Sequence, residues 1–366
     1  MVWLSLISVA VAMAISLLAT PGVRGWARAR GFLDRPGGYK QHGRAVALGG
    51  GIAVVAALFA PILAALVGAW VLHQVAVPGT LVGLAERLVG QGRFYPLLGG
   101  LAGKTGACLG LLAGAAVLHV LGLIDDHRPL GAGVKLAVQT AVAASLVVGL
   151  QIRAAEFLGP QFASIVTIVW LVVIINAINF LDHTDGLAAG VGIIAAAILA
   201  VTAIRSGQVF VPVLSWMLVG ALAGFLPYNF PPASIFLGDA GSLVVGYVLG
   251  VLTVLTTYYD PALQRQPSGF FLPLVVLAVP LYDTAAVMWQ RRRSGASLLA
   301  GDRRHFSHRL VARGMQPRAA VLTIWLATAA TALPAALLPQ AGWAAAELIF
   351  TQCLCVLLII AVLEHW

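Results

Sequence analysis

The chain has 366 residues, 60% of them hydrophobic and only 10% charged, with a formal net charge of +9. A mean hydropathy of +0.96 excludes an ordinary soluble domain and leaves an all-α polytopic integral membrane protein, read as one domain over residues 1–366. The positive charge could answer to nucleic acid, anionic lipid headgroups or anionic small substrates. Nucleic acid is set aside, because the basic residues sit in loops beside apolar runs without interleaved aromatics.

Apolar runs of roughly 18–25 residues mark membrane helices, and they fall near 2–20, 46–72, 97–124, 133–151, 162–180, 186–205, 209–227, 238–258, 270–290, 319–338 and 342–363. About eleven spanning helices are therefore expected. Most of the 22 Lys and Arg lie in connections that share one side when the N-terminus is outside, so the positive-inside rule puts the C-terminus in the cytoplasm. The first run has no basic residue before it and several after it, as in a retained reverse anchor. Cys108, Cys353 and Cys355 lie inside apolar runs and show neither a disulfide framework nor metal-ligand spacing.

The first inner loop, from Gly31 to Arg44, carries Asp34, Arg35, Lys40 and His42 around Pro36, Gly37 and Gly38, which keep it from being helical. Gly49, Gly50 and Gly51 then open the second helix and suit close helix packing. Gly99 to Thr105 has the look of a phosphate-binding P-loop, but Leu98 stands where that pattern needs Gly and no strand precedes it. The third helix ends in Asp125-Asp126, with Lys135 soon after. Adjacent carboxylates at a membrane helix end call for a cation, either Mg²⁺, Lys135 or the proton of a bound ligand. Helix capping would account for one Asp and not for two.

The stretch from Asn176 to Leu187 interrupts two long apolar runs with Asn176, Asn179, Asp182, His183 and Asp185. An Asp at the centre of a membrane helix costs roughly 2.5–3.5 kcal/mol on insertion scales. On a helix, Asn176, Asn179 and Asp182 are expected along one side, with a break at Asp185-Gly186 turning it toward a water-filled cleft. A further cluster, Tyr228 to Ser242, holds Asn229 and Asp239; Asp239 is either an N-cap or a carboxylate metal ligand beside helix amides. Asp283 reads as a supporting residue paired with an Arg. The last large inner loop supplies Asp302, Arg303, Arg304, His305, His308 and Arg309, an expected anion-binding lid.

Five clusters from separate parts of the chain, around Lys40, Asp125, Asp182, Asp239 and His305, fall on the same side in a topology drawn from charge alone. A carboxylate-lined cleft with cations nearby is equipment for transfer at a phosphate. In order, Asp34-Arg-Pro with Lys40-Gln-His42, Asp125-Asp126, Asn179-Phe-Leu-Asp182-His-Thr-Asp185-Gly-Leu, Phe236-Leu-Gly-Asp239-Ala-Gly-Ser and Asp302-Arg-Arg-His305-Phe-Ser-His308-Arg-Leu resemble the signatures of the polyprenyl-phosphate N-acetylhexosamine-1-phosphate transferases. These are glycosyltransferase family 4, and the likeness is to their WecA/TagO-like subgroup. Two positions depart from that pattern: His183 stands where the family usually has Gly, and Ser307 where it commonly has His.

The resemblance implies transfer of a sugar 1-phosphate, most simply N-acetylglucosamine 1-phosphate, from a UDP-N-acetylhexosamine to undecaprenyl phosphate. UMP is released at the cytoplasmic face of a bacterial inner membrane. It implies Mg²⁺, or Mn²⁺ in its place, on Asp239 with help from Asp125 and Asp126. The lipid phosphate would be oriented or deprotonated by the same Asp pair. Asn176, Asn179, Asp182, Asp185 and Asn229 would lie around the nucleotide, and Lys40, His42, Lys135, Arg303, Arg304, His305, His308 and Arg309 would neutralise phosphates. Direct attack of the lipid phosphate on the sugar-bearing phosphorus is favoured over a covalent Asp intermediate, and the resemblance also allows a homodimer. UDP-MurNAc-pentapeptide is the alternative donor. A CDP-alcohol phosphatidyltransferase is the nearest enzymatic rival, but Gly190 stands where its signature needs Arg. A transporter or flippase of a lipid-linked substrate would show polar residues through the bilayer midplane and an internal repeat.

Overall fold

A computed structural model describes residues 2–35, 45–74, 78–256, 267–295 and 305–365. The described chain is almost wholly helical. Helix α1 (Val2–Arg30) is followed by a two-stranded antiparallel ribbon of β1 (Leu33–Asp34) and β2 (Val46–Ala47). Then come α2 (Gly50–Gln74), the short α3 (Gly79–Val89) and α4 (Phe94–Gly103), α5 (Thr105–His127), α6 (Ala132–Gly149), α7 (Pro160–Leu181), α8 (Leu187–Arg205) and α9 (Phe210–Asn229). The chain continues through α10 (Asp239–Leu255), α11 (Leu272–Val276), α12 (Ala278–Arg293), α13 (Phe306–Ala312), α14 (Pro317–Ala335) and α15 (Trp343–His365).

Among the described residues nine helices are long and apolar enough to cross a membrane, and the pair Ser268–Val276 and Ala278–Arg293, bent by 64°, makes a tenth. Helix α10, at 17 residues, is shorter. Each of the eleven apolar runs thus has its helix among the described residues. Cys108, Cys353 and Cys355 are all unpaired thiols.

Helices α8, α9 and α10 form the interior, where Leu187, Leu199, Phe225 and Tyr247 are nearly inaccessible. Helices α1 and α15 lie at the periphery and expose Leu6, Leu18, Leu348 and Ile359, as helices facing lipid do. Small residues set the closest approaches. A Cβ on Gly51 would lie 2.3 Å from the Gly241 nitrogen, and one on Gly122 would lie 2.3 Å from the Ala240 nitrogen. The first turn of α10 is therefore wedged between α2 and α5, main chain against main chain, and the run of glycines at 49–51 serves the packing expected of it.

Loops carry the other polar clusters to the same end. Ile235 bridges Ala47, and the amides of Gly50 and Gly51 donate to the carbonyls of Phe236 and Leu237 at 2.9 Å each. The strands β1 and β2 are thereby stitched to the segment leading into Asp239.

Candidate active site

The site forms where the C-terminal ends of α5 and α7 meet the N-terminus of α10. Gly238, at φ +73°, makes the turn that starts α10. A Cβ there would lie 2.5 Å from an Asp126 carboxylate oxygen, so the turn needs glycine for both conformation and space. Asp126 accepts hydrogen bonds from the amides of Asp239 (2.8 Å) and Ala240 (3.2 Å). It is an N-cap supplied from a different helix, and its negative charge faces the positive end of the α10 dipole.

Asp125 and Asp239 are joined through Lys135. The ammonium donates to Asp125 Oδ2 at 3.0 Å and to Asp239 Oδ2 at 3.1 Å. Asp125 Oδ1 also accepts from the Leu130 amide at 2.7 Å, which closes the turn between α5 and α6 and brings Lys135 back over the carboxylates. On the other side Asn179 donates to Asp239 Oδ1 and to Ser242 Oγ, both at 2.9 Å. Both Asp239 oxygens are thus held in place.

Among the described residues no group of three or more His, Cys, Asp or Glu side chains is arranged to hold a metal ion by itself. Magnesium, however, is commonly bound by one or two carboxylates while substrate phosphates and water complete its shell. Asp125 and Asp239 share one cation, Lys135, at hydrogen-bonding distance, and their hard oxygens fit that pattern. Asp126, assigned to the metal from sequence, has both oxygens on the α10 amides instead.

The α7 stretch does not present one polar face. Residues three apart advance by 300°, so each step falls about 60° short of a full turn. Asn176 accordingly points away from the cleft, exchanging hydrogen bonds with Gln139 of α6 (2.6 and 3.4 Å), while Asn179 reaches α10. Asp182, at the end of α7, faces the carboxylates of Asp239 and Asp126 and accepts from the Gly238 amide. Burial first, and then those two carboxylates, push it well above the usual carboxylate range. The break at Asp185-Gly186 is present, with Gly186 at φ +72°. Asp185 accepts from the Ala233 amide at 2.8 Å. Buried Asn229 accepts from the Gly186 amide and donates to the Ile235 carbonyl, both at 3.0 Å, so it braces the break from within the protein.

The histidine segment closes the other flank. His305 donates from Nδ1 to Asp283 at 2.9 Å, and Asp283 also accepts from the Phe306 amide at 2.7 Å. Arg309, expected on phosphate, instead pairs with Glu364 of α15 at 2.6 Å and lies 3.8 Å from Asp283. Asp283 does have the Arg partner expected of it. His183 packs against two other imidazoles, 4.2 Å from the His305 ring centroid and 4.5 Å from that of His308. Packing in this cluster holds His183 well below the usual histidine range, chiefly by burial and then by the neighbouring His305 and His308. Lys40, His42, Asp302, Arg303 and Arg304 lie outside the described residues.

Gln139, Ser242 and Glu364 belong to these networks and were not anticipated. A Gln inside the run 133–151 and a Glu ending the last apolar run are signals of the same kind as Asp182, a polar group where hydrocarbon is expected. Ser242 hides in a helix start, where serine is commonplace.

Residues 108–257 match the family model described as glycosyl transferase family 4. The chain is 34% identical over 297 residues to the Bacillus subtilis protein named "Probable undecaprenyl-phosphate N-acetylglucosaminyl 1-phosphate transferase", covering 75% of this chain and 82% of that one. It is 36% identical over 273 residues to the decaprenyl-phosphate N-acetylglucosaminephosphotransferase of Mycolicibacterium smegmatis, covering 67% and 66%. To the undecaprenyl-phosphate alpha-N-acetylglucosaminyl 1-phosphate transferase of Escherichia coli K12 it is 26% identical over 261 residues, 64% of this chain and 70% of that one. The ordered motifs, the helical membrane architecture and these likenesses together place the chain in glycosyltransferase family 4, among the polyprenyl-phosphate N-acetylhexosamine-1-phosphate transferases.

Proposed function

We propose that the protein transfers N-acetylglucosamine 1-phosphate from UDP-N-acetylglucosamine to undecaprenyl phosphate, releasing UMP, at the cytoplasmic face of the membrane. The observation that carries this reading is the Asp125–Lys135–Asp239 bridge at 3.0 and 3.1 Å, set where three helix ends converge. The lean of Lys and Arg toward one set of loops supports the cytoplasmic orientation. A lipid phosphate arriving in the membrane plane and a nucleotide arriving from the cytosol meet at such a cleft.

Asp239 and Asp125 are the oxygen pair that would hold Mg²⁺ or Mn²⁺. When bound, the metal supplies positive charge to the diphosphate oxygens as the bond between the two phosphorus atoms' bridging oxygen and the sugar phosphate breaks. Lys135 carries a cation that incoming phosphates can share with the two carboxylates. Asn179 keeps Asp239 aimed, and Asp126 keeps the α10 amides and the turn at Gly238 in place. An oxygen of the lipid phosphate forms the new bond to the sugar-bearing phosphorus, and UMP leaves with the bridging oxygen. Holding both anions in line contributes mainly by orientation.

The test is UMP release by purified protein in detergent, given undecaprenyl phosphate, UDP-N-acetylglucosamine or its galactosamine epimer, and Mg²⁺. Release that needs lipid, stops with chelator and disappears in Asp239→Asn supports the reading. A phosphorylated Asp125 or Asp126 trapped with UDP-sugar alone would replace direct attack by a two-step transfer, and counterflow in proteoliposomes without UMP release would replace transfer by transport.

A further inference from the structure

His183 is the middle ring of three. Its centroid is 4.2 Å from that of His305, at an interplanar angle of 23°, and 4.5 Å from that of His308, at 51°, whereas His305 and His308 are 6.4 Å apart. The two outer rings each lie closer to His183 than to each other, so His183 is the ring that both of them pack against.

The hydrogen bonds around His183 fix its orientation completely. Its Nδ1 lies 2.5 Å from the Phe180 carbonyl, which can only accept, so Nδ1 carries the proton. Its Nε2 lies 2.6 Å from Ser307 Oγ. In the neutral ring Nε2 accepts, so the Ser307 hydroxyl donates to it and in turn accepts from Thr184 Oγ1 at 2.7 Å. Both ring nitrogens of the imidazole are engaged. His183 therefore has no donor to offer a phosphate.

Ser307 is buried, and its hydroxyl joins the end of α7 to α13 through both His183 and Thr184. A larger side chain at 307 would meet the His183 ring. The room one position gives up is the room the other takes.

We propose that His183, pinned by Ser307, is the positioning residue that sets the spacing of His305 and His308 for the diphosphate of the sugar nucleotide. The proposal rests on the transfer reading for its ligand. It makes positions 183 and 307 one unit, in which a single imidazole, arriving from either side, packs against both of the other rings.

The experiment uses the full-length protein in detergent and four variants: His183→Gly, Ser307→Ala, Ser307→His and the exchange His183→Gly with Ser307→His. Two readouts are taken, kcat and KM for UMP release and the affinity for UDP with Mg²⁺ measured by calorimetry without lipid. Each single substitution is expected to lower kcat/KM for UDP-N-acetylglucosamine at least tenfold, mainly through KM, and to weaken UDP binding by a similar factor. The KM for undecaprenyl phosphate should stay within twofold. The exchange variant is expected to return within about threefold of the starting protein in both readouts.

Losses in the exchange variant equal to the product of its two singles, or singles that match the starting protein, would overturn the proposal. Ser307→Ala keeps the test open should His183→Gly fail to fold, because it removes the pin without creating a cavity of ring size. Protein that binds UDP with the expected pattern but releases no UMP would sink the transfer reading and uphold the positioning role. Absence of UDP binding by the starting protein would overturn both.

Discussion

Asp126 caps a helix that it does not belong to: its two oxygens accept from the backbone amides of Asp239 and Ala240 at 2.8 and 3.2 Å. A carboxylate pair that sequence treats as two equivalent acids is thus split, with Asp125 turned to Lys135 and Asp126 turned to the start of α10.

Asp126→Ala should lower stability by about 0.5–2 kcal/mol, the usual range for loss of an N-cap, and should also reduce activity, because the turn that presents Asp239 loosens. Asp126→Asn keeps one accepting oxygen and should recover most of the stability. Thermal unfolding in detergent measures the first effect and UMP release the second. An Asn variant of full stability and no activity would show that the charge itself takes part in the chemistry.

Lys135 bridges two carboxylates that otherwise face each other across the cleft. Lys135→Met should reduce UMP release by about 10²-fold or more, the scale seen when one preorganised charged group is lost from a reacting site. Lys135→Arg should recover little, since a planar guanidinium cannot take the position of a compact ammonium between two oxygens. Activity within threefold of wild type in the Met variant would remove Lys135 from the mechanism.

The Asp182 carboxyl is held well above the ordinary carboxylate range by burial and by the nearby Asp239 and Asp126. The folded chain therefore binds this proton more tightly than the unfolded chain, and ionising the group as pH rises above its ordinary value of about 4 works against folding. Asp182→Asn removes that penalty while leaving an oxygen for the Gly238 amide. Its unfolding midpoint at pH 7.5 should rise by a few degrees, with UMP release falling at least tenfold. The stability gain should vanish when the comparison is repeated near pH 4.

His183 titrates with the opposite sign. Burial and its two imidazole neighbours hold its folded value well below the usual one, so as pH falls through about 6.5 the unfolded chain gains a proton that the folded chain refuses. Stability should then decrease toward acid, by at most about 1.4 kcal/mol per pH unit for one group. Unfolding midpoints at pH 7.5, 6.5 and 5.5 should show a shallower acid decline in His183→Asn than in the starting protein. Equal declines would mean that another group governs the acid limb.

The positions of the helices were legible because hydrocarbon imposes a single demand, an uninterrupted apolar run, and each of the eleven runs is a helix. The polar breaks located the site for the same reason: Asp125, Asp182 and Asp239 stand where an unpaired charge is costly, and all three converge. What sequence could not assign was partnership. Asn176 and Asn179 look alike in a list of polar residues, yet the 60° shortfall per three residues sends one to Gln139 and the other to Asp239. Arg309 reads as a phosphate ligand until Glu364, 55 residues away, is seen to hold it. His183 and Ser307 read as two separate irregularities until a hydrogen bond of 2.6 Å joins them.

The contacts of Gly51 with Gly241 and of Gly122 with Ala240 leave no side chain between α10 and its two neighbours at the level of Asp239. Distances across most protein interiors depend on rotamers, which differ among molecules and change with temperature. Here the position of Asp239 relative to α2 and α5 is set by main-chain contacts with no rotamer between them. A carboxylate placed in this way is a fixed reference point, and any adjustment to a ligand is confined to the groups around it.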